Sequence, residues 1–278
     1  KEFIDNVTMT GRVECERLTT EDLGYFAPQM RYWNTSVSNV VATMDGVVSD
    51  FEGVITQATI ANNSSAVGKF RITGLPDWRE SRYVVGMERV ELSGDDIVML
   101  LTNVPREPLS DAVMNIVKRV GDVGARVTFG GKLNAFRAVG NISATAGDVS
   151  ADVTITKGRD DRYAVAGTAR AEEFNIGSLL AIRDLRNITS EVSLNGSVGR
   201  GDTGGIIGDV TVGVDALDYR GYRYSAIDGR ATINGGQYYG RVTSEDENLE
   251  FDLYANLDLD SPTPAYAFSL GLERADLH

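Results

Sequence analysis

Leu249-Glu250-Phe251-Asp252-Leu253-Tyr254-Ala255-Asn256-Leu257-Asp258-Leu259 is the stretch whose reading decides the fold. Leu249, Phe251, Leu253, Ala255, Leu257 and Leu259 alternate with Glu250, Asp252, Tyr254, Asn256 and Asp258. Successive side chains of an extended chain point to opposite sides, so this period of two gives one apolar face and one wet face. A helix, with about 3.6 residues per turn, would scatter the same residues around its surface.

The rhythm extends in both directions. Tyr266, Phe268, Leu270 and Leu272 alternate with small or polar residues downstream. Upstream, Ile206, Val210, Val212, Val214 and Ala216 share a face with Gly208, and Val149, Ala151, Val153 and Ile155 repeat the pattern. So do Val192-Leu194-Gly196-Val198 and Ala66-Gly68-Phe70-Ile72. Strict alternation is the mark of antiparallel sheets, whereas buried parallel strands read as continuous apolar runs. Several strands run about 9–12 residues, beyond the common ~5–6. Turn chemistry separates them: Asn62-Asn63-Ser64, Gly158-Arg159-Asp160-Asp161, Gly201-Asp202-Thr203-Gly204 and Asn234-Gly235-Gly236. Gly130-Gly131 reads as a bulge or turn.

Short helices interrupt the strands. Thr20 is placed to cap a helix near 21–27, and Ser93 with Asp96 forms a capping-box pattern opening 94–101. Ser110 precedes a helix over 111–120, with Val113, Ile116, Val117 and Val120 on one stripe. The last helix is expected near 175–182, with Ile176, Leu179 and Leu180. Leu18-Thr-Thr-Glu-Asp-Leu23, Leu92-Ser-Gly-Asp-Asp-Ile97 and Glu172-Glu-Phe-Asn-Ile176 each follow a strand and enter an apolar turn. They mark weak internal repeats near 18–91, 92–171 and 172–278 within one continuous β-rich segment, 1–278.

Of the 278 residues 42% are apolar, enough for a sizeable core, and 30 glycines with 6 prolines suit many tight turns. The net charge of −13 and the lack of any basic cluster argue against nucleic acid as a partner. Cys15 is the one cysteine, so no intrachain disulfide forms. No run approaches the ~18 apolar residues of a membrane helix. The chain opens mid-pattern at Lys1-Glu2-Phe3 and stops mid-pattern at Ala275-Asp276-Leu277-His278, and so reads as a piece of something longer, any signal or anchor lying outside it.

Catalytic chemistry finds few footholds. Histidine occurs once, at His278, which leaves no Ser-His-Asp or Cys-His arrangement and no common zinc site. Neither a Walker loop nor a dinucleotide fingerprint is present, so no cofactor is expected. Paired carboxylates could act on glycosides, but with 40 Asp and Glu pairs arise by chance, and most belong to the wet face. Asp95-Asp96 and Asp258-Leu-Asp260 could touch Ca²⁺, without EF-hand or nonapeptide spacing to support it. Arg200-Gly201-Asp202 reads as a hairpin tip. The Asn-x-Ser/Thr triplets, among them Asn34, Asn141 and Asn187, read as turn and strand polarity. Cys15 shares an alternation with Val7, Met9 and Val13, which predicts a buried, unreactive thiol. Tyr219-Arg-Gly-Tyr222-Arg-Tyr224 could form a sugar-stacking strip, although cross-strand pairing explains the same residues.

Three successive pieces resemble a known family. They are Asp218-Tyr-Arg-Gly-Tyr-Arg-Tyr224, Gly240-Arg-Val-Thr-Ser-Glu-Asp-Glu-Asn-Leu-Glu-Phe-Asp252 and Phe268-Ser-Leu-Gly-Leu-Glu-Arg-Ala-Asp-Leu-His278. Together they are similar to the TamB-like translocation and assembly module proteins of the AsmA-like superfamily, in double-membraned bacteria. Leu18-Thr-Thr-Glu-Asp-Leu23, Gly74-Leu-Pro-Asp77 and Phe174-Asn-Ile-Gly-Ser-Leu-Leu180 agree at the level of pattern, and Glu245 departs from an expected Asp. The resemblance implies a non-enzymatic segment of a large protein, anchored in the inner membrane and spanning the periplasm. It implies a long, curled, mainly antiparallel sheet, groove-like, whose apolar inner face carries phospholipid acyl chains to the outer membrane. It also implies an Omp85-class outer-membrane partner, met through other parts of the full-length chain.

The residues expected to line the groove are Val149, Ala151, Val153, Ile155, Val210, Val212, Val214, Leu249, Phe251, Leu253, Ala255, Leu257, Phe268, Leu270 and Leu272. Two rival readings stand beside this one. Exposed sheet edges could accept a strand from an outer-membrane protein during its assembly or translocation. A polysaccharide-acting enzyme would instead need a parallel β-helix, with coils of roughly 20–30 residues.

Overall fold

The computed structural model describes residues 2–23, 35–103, 111–158, 162–199, 205–261 and 263–276. Strand makes up 70% of the chain and helix 12%, so the fold is all-β with short helices, as the alternation predicts.

The first compact unit comprises Lys1–Leu133 with Ala138–Thr145. It begins with α1 (Glu2–Asn6), β1 (Met9–Thr19), α2 (Thr20–Leu23), β2 (Ser36–Val47), β3 (Asp50–Ile60), β4 (Ser64–Thr73) and β5 (Arg82–Leu92). It continues through α3 (Gly94–Asn103), α4 (Asp111–Val120) and β6 (Val123–Lys132) into most of β7 (Ala135–Ala144). The second unit takes Asn134–Arg137 and Ala146–His278. It holds β8 (Gly147–Lys157), β9 (Tyr163–Asn175), α5 (Ile176–Leu180), β10 (Leu185–Gly199), β11 (Gly205–Tyr219) and β12 (Tyr222–Tyr224). It ends with β13 (Ile227–Asn234), β14 (Gln237–Glu245), β15 (Leu249–Asp258) and β16 (Ala265–Ala275).

The strands follow one another in sequence order in a single antiparallel sheet that does not close, with β12 pairing beside β11. Register explains why alternation survives across it. In the first unit Met44 faces Gly53, Gly53 faces Phe70, Phe70 faces Val85 and Val85 faces Phe129. The next apolar row is Val13, Ala42, Ile55, Gly68, Met87 and Val127. Directly opposed residues share a face, so period two within strands becomes apolar rows across them. Only Ala42, Ala58, Ala66, Ala146, Leu179 and Ala216 are buried apolar residues among the described ones. The sheet is therefore not half of a sandwich with a thick dry core.

Short helices form where expected, with changes of detail; of the one expected near 21–27, residues 24–27 lie outside the described residues. Thr19, not Thr20, caps α2: its backbone N–H and hydroxyl donate to Asp22 Oδ2 at 2.9 and 2.6 Å, and the Asp22 N–H returns to Thr19 Oγ1 at 3.1 Å. Thr20 is buried and occupied elsewhere, donating its hydroxyl to the Thr35 carbonyl at 3.1 Å and accepting from the Thr35 N–H at 3.0 Å. Asn175 caps α5 by accepting from the Ser178 N–H at 3.0 Å, and Ala181 ends it in the left-handed conformation. Ser110 lies outside the described residues. Helix α1 was not expected, since five residues carry too little periodicity to be read. Gly130-Gly131 is not a turn, and no bulge against β5 falls there. Both lie within β6, opposite Val84 and Tyr83. The turns at 159–161 and 201–204 fall outside the described residues.

Ser93 does open α3, its hydroxyl accepting the Asp96 N–H at 3.2 Å. Asp96 itself is 1% exposed and ties the helix to the β3–β4 turn. Its carboxylate accepts from the Asn63 N–H and Ser64 hydroxyl, both at 2.7 Å, and from the Asn62 N–H at 3.2 Å. Burial pushes this carboxyl up, but those hydrogen bonds and Ser93 outweigh it and hold the pKa at about 2. A depressed folded pKa adds stability above the unfolded value near 3.8, which is lost as pH falls toward about 2. Asp96→Asn is expected to cost about 2 kcal/mol at pH 7. Urea unfolding at pH 7 and pH 3 should show the gap between mutant and parent narrowing at the lower pH.

Candidate functional site: the apolar face of the second unit

The face is built by register. One row runs Ala151, Ala169, Val192, Val212, Gly229, Val242, Leu253 and Leu270 through β8, β9, β10, β11, β13, β14, β15 and β16. Beside it runs Val153, Gly167, Leu194, Val210, Ala231, Gly240, Ala255 and Phe268. The flanking rows bring in Ile155, Leu257 and Tyr266 on one side, and Val149, Val214, Phe251 and Leu272 on the other. Leu249 lies further along β15, opposite Ala275. All the residues predicted to line the groove thus lie on one face.

None of these residues is buried. Those on β8, β11 and β15 are partly exposed. On the last strand Tyr266, Phe268, Leu270 and Leu272 are 61%, 64%, 60% and 54% exposed. The face contains no charged side chain in these rows, and among the described residues no second layer seals it.

Sequence reading missed the middle of the face. Val165, Ala169 and Ala171 of β9, Val192 and Leu194 of β10, Ile227 and Ile233 of β13, and Val242 of β14 fill the gaps between the predicted strands. Alanine and glycine dilute the hydrophobicity of β9, β13 and β14, so their period two is faint. Val192 and Leu194 did alternate visibly, and that was the signal available.

The opposite face is polar and internally paired. Arg241 donates to both Asp252 oxygens at 2.9 and 2.7 Å, and Arg137 to both oxygens of Asp152. Each guanidinium holds its carboxylate partner below the usual range. Arg170 lies between Glu172 and Asp215, each at 3.2 Å. These are exposed pairs, worth little individually, but they place charge consistently on one side. In the first unit a hollow of about 700 Å³ is lined by Thr43, Asp45, Glu52, Val54, Lys69 and Val84 among others. Met44, Gly53 and Phe70 of the apolar row line it as well, so the hollow draws on residues of both faces.

The remaining candidates are structural. Among the described residues no three His, Cys, Asp or Glu are grouped to hold a metal ion. Asp96 is committed to its turn. Asp258 accepts from the Asp260 and Ser261 N–H groups at 3.1 and 3.2 Å, and Asp260 from the Gly236 N–H at 3.0 Å. Arg200-Gly201-Asp202 lies outside the described residues. Tyr222 and Tyr224 meet edge-on with centroids 4.6 Å apart, and the Tyr222 hydroxyl donates to Asp246 at 3.0 Å. Burial pushes the Asp246 carboxyl up, but the hydrogen bonds from Asn248, Ser225 and Tyr222 leave it below its ordinary range. Tyrosine and aspartate here fasten the β14–β15 turn to the segment after β12.

Cys15 corrects the expectation of a buried thiol. It lies on edge strand β1 opposite Val40, is partly exposed, and its Sγ is 3.3 Å from the Arg17 carbonyl oxygen. An edge strand has a neighbour on one side only, which leaves its residues wetter than the alternation suggests. Cys15→Ala should cost about 1 kcal/mol or less in urea unfolding. A larger loss would show that the thiol holds the edge in place.

No family model matches the chain, and no curated protein or solved structure is similar to it at a significant level.

Proposed function

We propose that the chain is a non-enzymatic segment of a periplasm-spanning envelope protein of the TamB-like kind, anchored in the inner membrane. Its apolar face offers a path for phospholipid acyl chains toward the outer membrane. One observation carries this reading: apolar rows run across strand after strand of the second unit, uncharged and unsealed. An acyl chain gives a charge nothing to pair with, so a path for it must stay apolar along its length. Water gains nothing from such a wall, and covering it with hydrocarbon is favourable by about 25 cal/mol per Å². The Omp85-class partner belongs, on this reading, to other parts of the full-length protein.

A second reading is supported by β16. Its large apolar side chains are more than half exposed, and it ends the strand order. Such an edge can accept an added strand, as assistance to outer-membrane protein assembly would require. The parallel β-helix that a polysaccharide-acting enzyme would use does not match the antiparallel ladders seen throughout.

The test uses Leu253, which faces Val242 and Leu270 in the middle of the face. On an open face Leu253→Arg should keep its fold, because the arginine stem spreads over neighbours while the guanidinium reaches water. A photoreactive residue at Leu257 should crosslink phospholipid in the parent chain and lose that product in the Leu253→Arg background. Were the mutant to unfold, and the parent never to crosslink lipid, the face would be a packing surface and the conduit reading would fail.

A further inference from the structure

Glycines on the two faces of the sheet sit in different surroundings. A Cβ added to Gly53, Gly68, Gly140, Gly167, Gly196 or Gly208 would come within 3.0 Å of a backbone carbonyl oxygen on the neighbouring strand. Those oxygens belong to Thr43, Gly86, Arg126, Asp152, Ile207 and Asn195. Each glycine lies on the apolar face: Gly53 is crowded by the Phe70 ring, Gly68 by Met87, and Gly140 and Gly167 by Val127 and Val153. Gly196 and Gly208 oppose each other directly. On the polar face Gly86, Gly213 and Gly271 would meet nothing nearer than 3.8 Å, and Gly130 nothing at all.

The crowded positions also follow an order. They fall between β2 and β3, β4 and β5 and β6 and β7 in the first unit, and between β8 and β9 and β10 and β11 in the second. Across β3–β4 neither Gly53 nor Gly68 meets a carbonyl of the other strand so closely, and across β9–β10 neither Gly167 nor Gly196 does. The series stops at β13 and β14, where Gly229 and Gly240 share the apolar face but would meet neighbours only at 3.7 and 3.6 Å.

We propose that these glycines are fold lines, along which the sheet bends locally toward its apolar face at every second strand gap. The geometry is direct. A Cβ stands off the sheet on its own face, so a neighbouring carbonyl can approach it closely only if the neighbouring strand is tilted up on that side. Omitting the Cβ removes the obstacle, a known use of glycine inside strands. Bends of one sign make the apolar face concave and splay the polar side chains apart. This concerns the form of the face and is independent of what occupies it.

Two pairs of positions test the bend with no glycine altered. Thr154 and Asn195 both face Ala166 of β9, so they lie two strands apart on the polar face across the β8–β9 line. Thr232 and Asn256 both face Tyr239 of β14, two strands apart where no line is present. In a flat sheet either separation is about 10 Å. With nitroxides at cysteines introduced in the Cys15→Ala chain, dipolar coupling should be weaker for Thr154/Asn195 than for Thr232/Asn256. Gly167→Ala should then strengthen the Thr154/Asn195 coupling toward that of the control pair and lower the thermal midpoint by several degrees. Gly240→Ala, on the same face with room for its Cβ, should leave both readouts unchanged. Equal coupling for the two pairs in the unaltered sheet overturns the proposal. So does a folded Gly167→Ala chain with unchanged coupling; if that variant fails to fold, the comparison of the two pairs decides.

Discussion

Register is the constraint on which everything else in this sheet depends. A strand has two faces, and a slip of one residue against a neighbour exchanges them. In most sheets a packed second layer corrects such slips, because the wrong face will not bury. Here no such layer covers the apolar face among the described residues, and few of their apolar side chains are buried. Register must be held from within the sheet. Long strands do part of this, since each residue added to a ladder adds hydrogen bonds that a slip would break. Cross-strand pairs do another part. Arg241 on Asp252, Arg137 on Asp152 and Arg71 on Asp50 each span adjacent strands on the polar side, and a slip would part them and carry their charges to the apolar side.

The turns contribute a stronger lock. Asp96 and Asp246 are nearly fully buried, yet both serve backbone N–H groups and hydroxyls of a turn or of the segment beside it. A carboxylate that accepts several hydrogen bonds is specific about position in a way that a hydrophobic contact is not. Asp96 reaches from α3 to the β3–β4 turn, and Asp246 reaches from the β14–β15 turn to Ser225 just before β13. The buried polar atoms therefore lie at strand ends, where a register is chosen, while strand middles carry the apolar rows.

This division explains what could be read from the sequence. Period two is a local property, so the strands of Leu249–Leu259, Val149–Ile155 and Tyr266–Leu272 were legible, as was the face their side chains share. The Ser93 cap of α3 was legible for the same reason, but the box is only half made: the Ser93 hydroxyl accepts the Asp96 N–H, while the Ser93 N–H donates to Ser64 Oγ rather than to the Asp96 carboxylate. The second role of Asp96, at a turn some thirty residues earlier, is a tertiary fact with no local signature. The partners of the predicted face were half hidden, because Ala169, Gly229 and Gly240 look unremarkable until register places them beside Val192, Val212 and Ala255. Cys15 failed in the opposite sense: its alternation was correct, but burial depends on strand order, and order placed β1 at an edge.

A single open sheet with one apolar face has three ways to limit the exposure of that face. Helices could cover it, but they are short, and α3 and α5 are tied to turns. Side chains could lean on one another across the ladder, and the partial exposure of Leu253, Val242 and Val212 against the wetter Leu270 fits that, since β16 has a neighbour on one side only. Bending toward the apolar face does more, because it brings rows on non-adjacent strands closer and narrows what water can reach. Bending has a steric cost that only glycine avoids at the tightest points, and glycine in turn gives up apolar surface and chain order. The sequence accepts that cost on the apolar face at Gly167, Gly196 and Gly208, where a valine would otherwise add to the row. Even so, the apolar residues of β8, β11 and β15 stay partly exposed and those of β16 remain more than half exposed, so bending limits the contact with water without ending it.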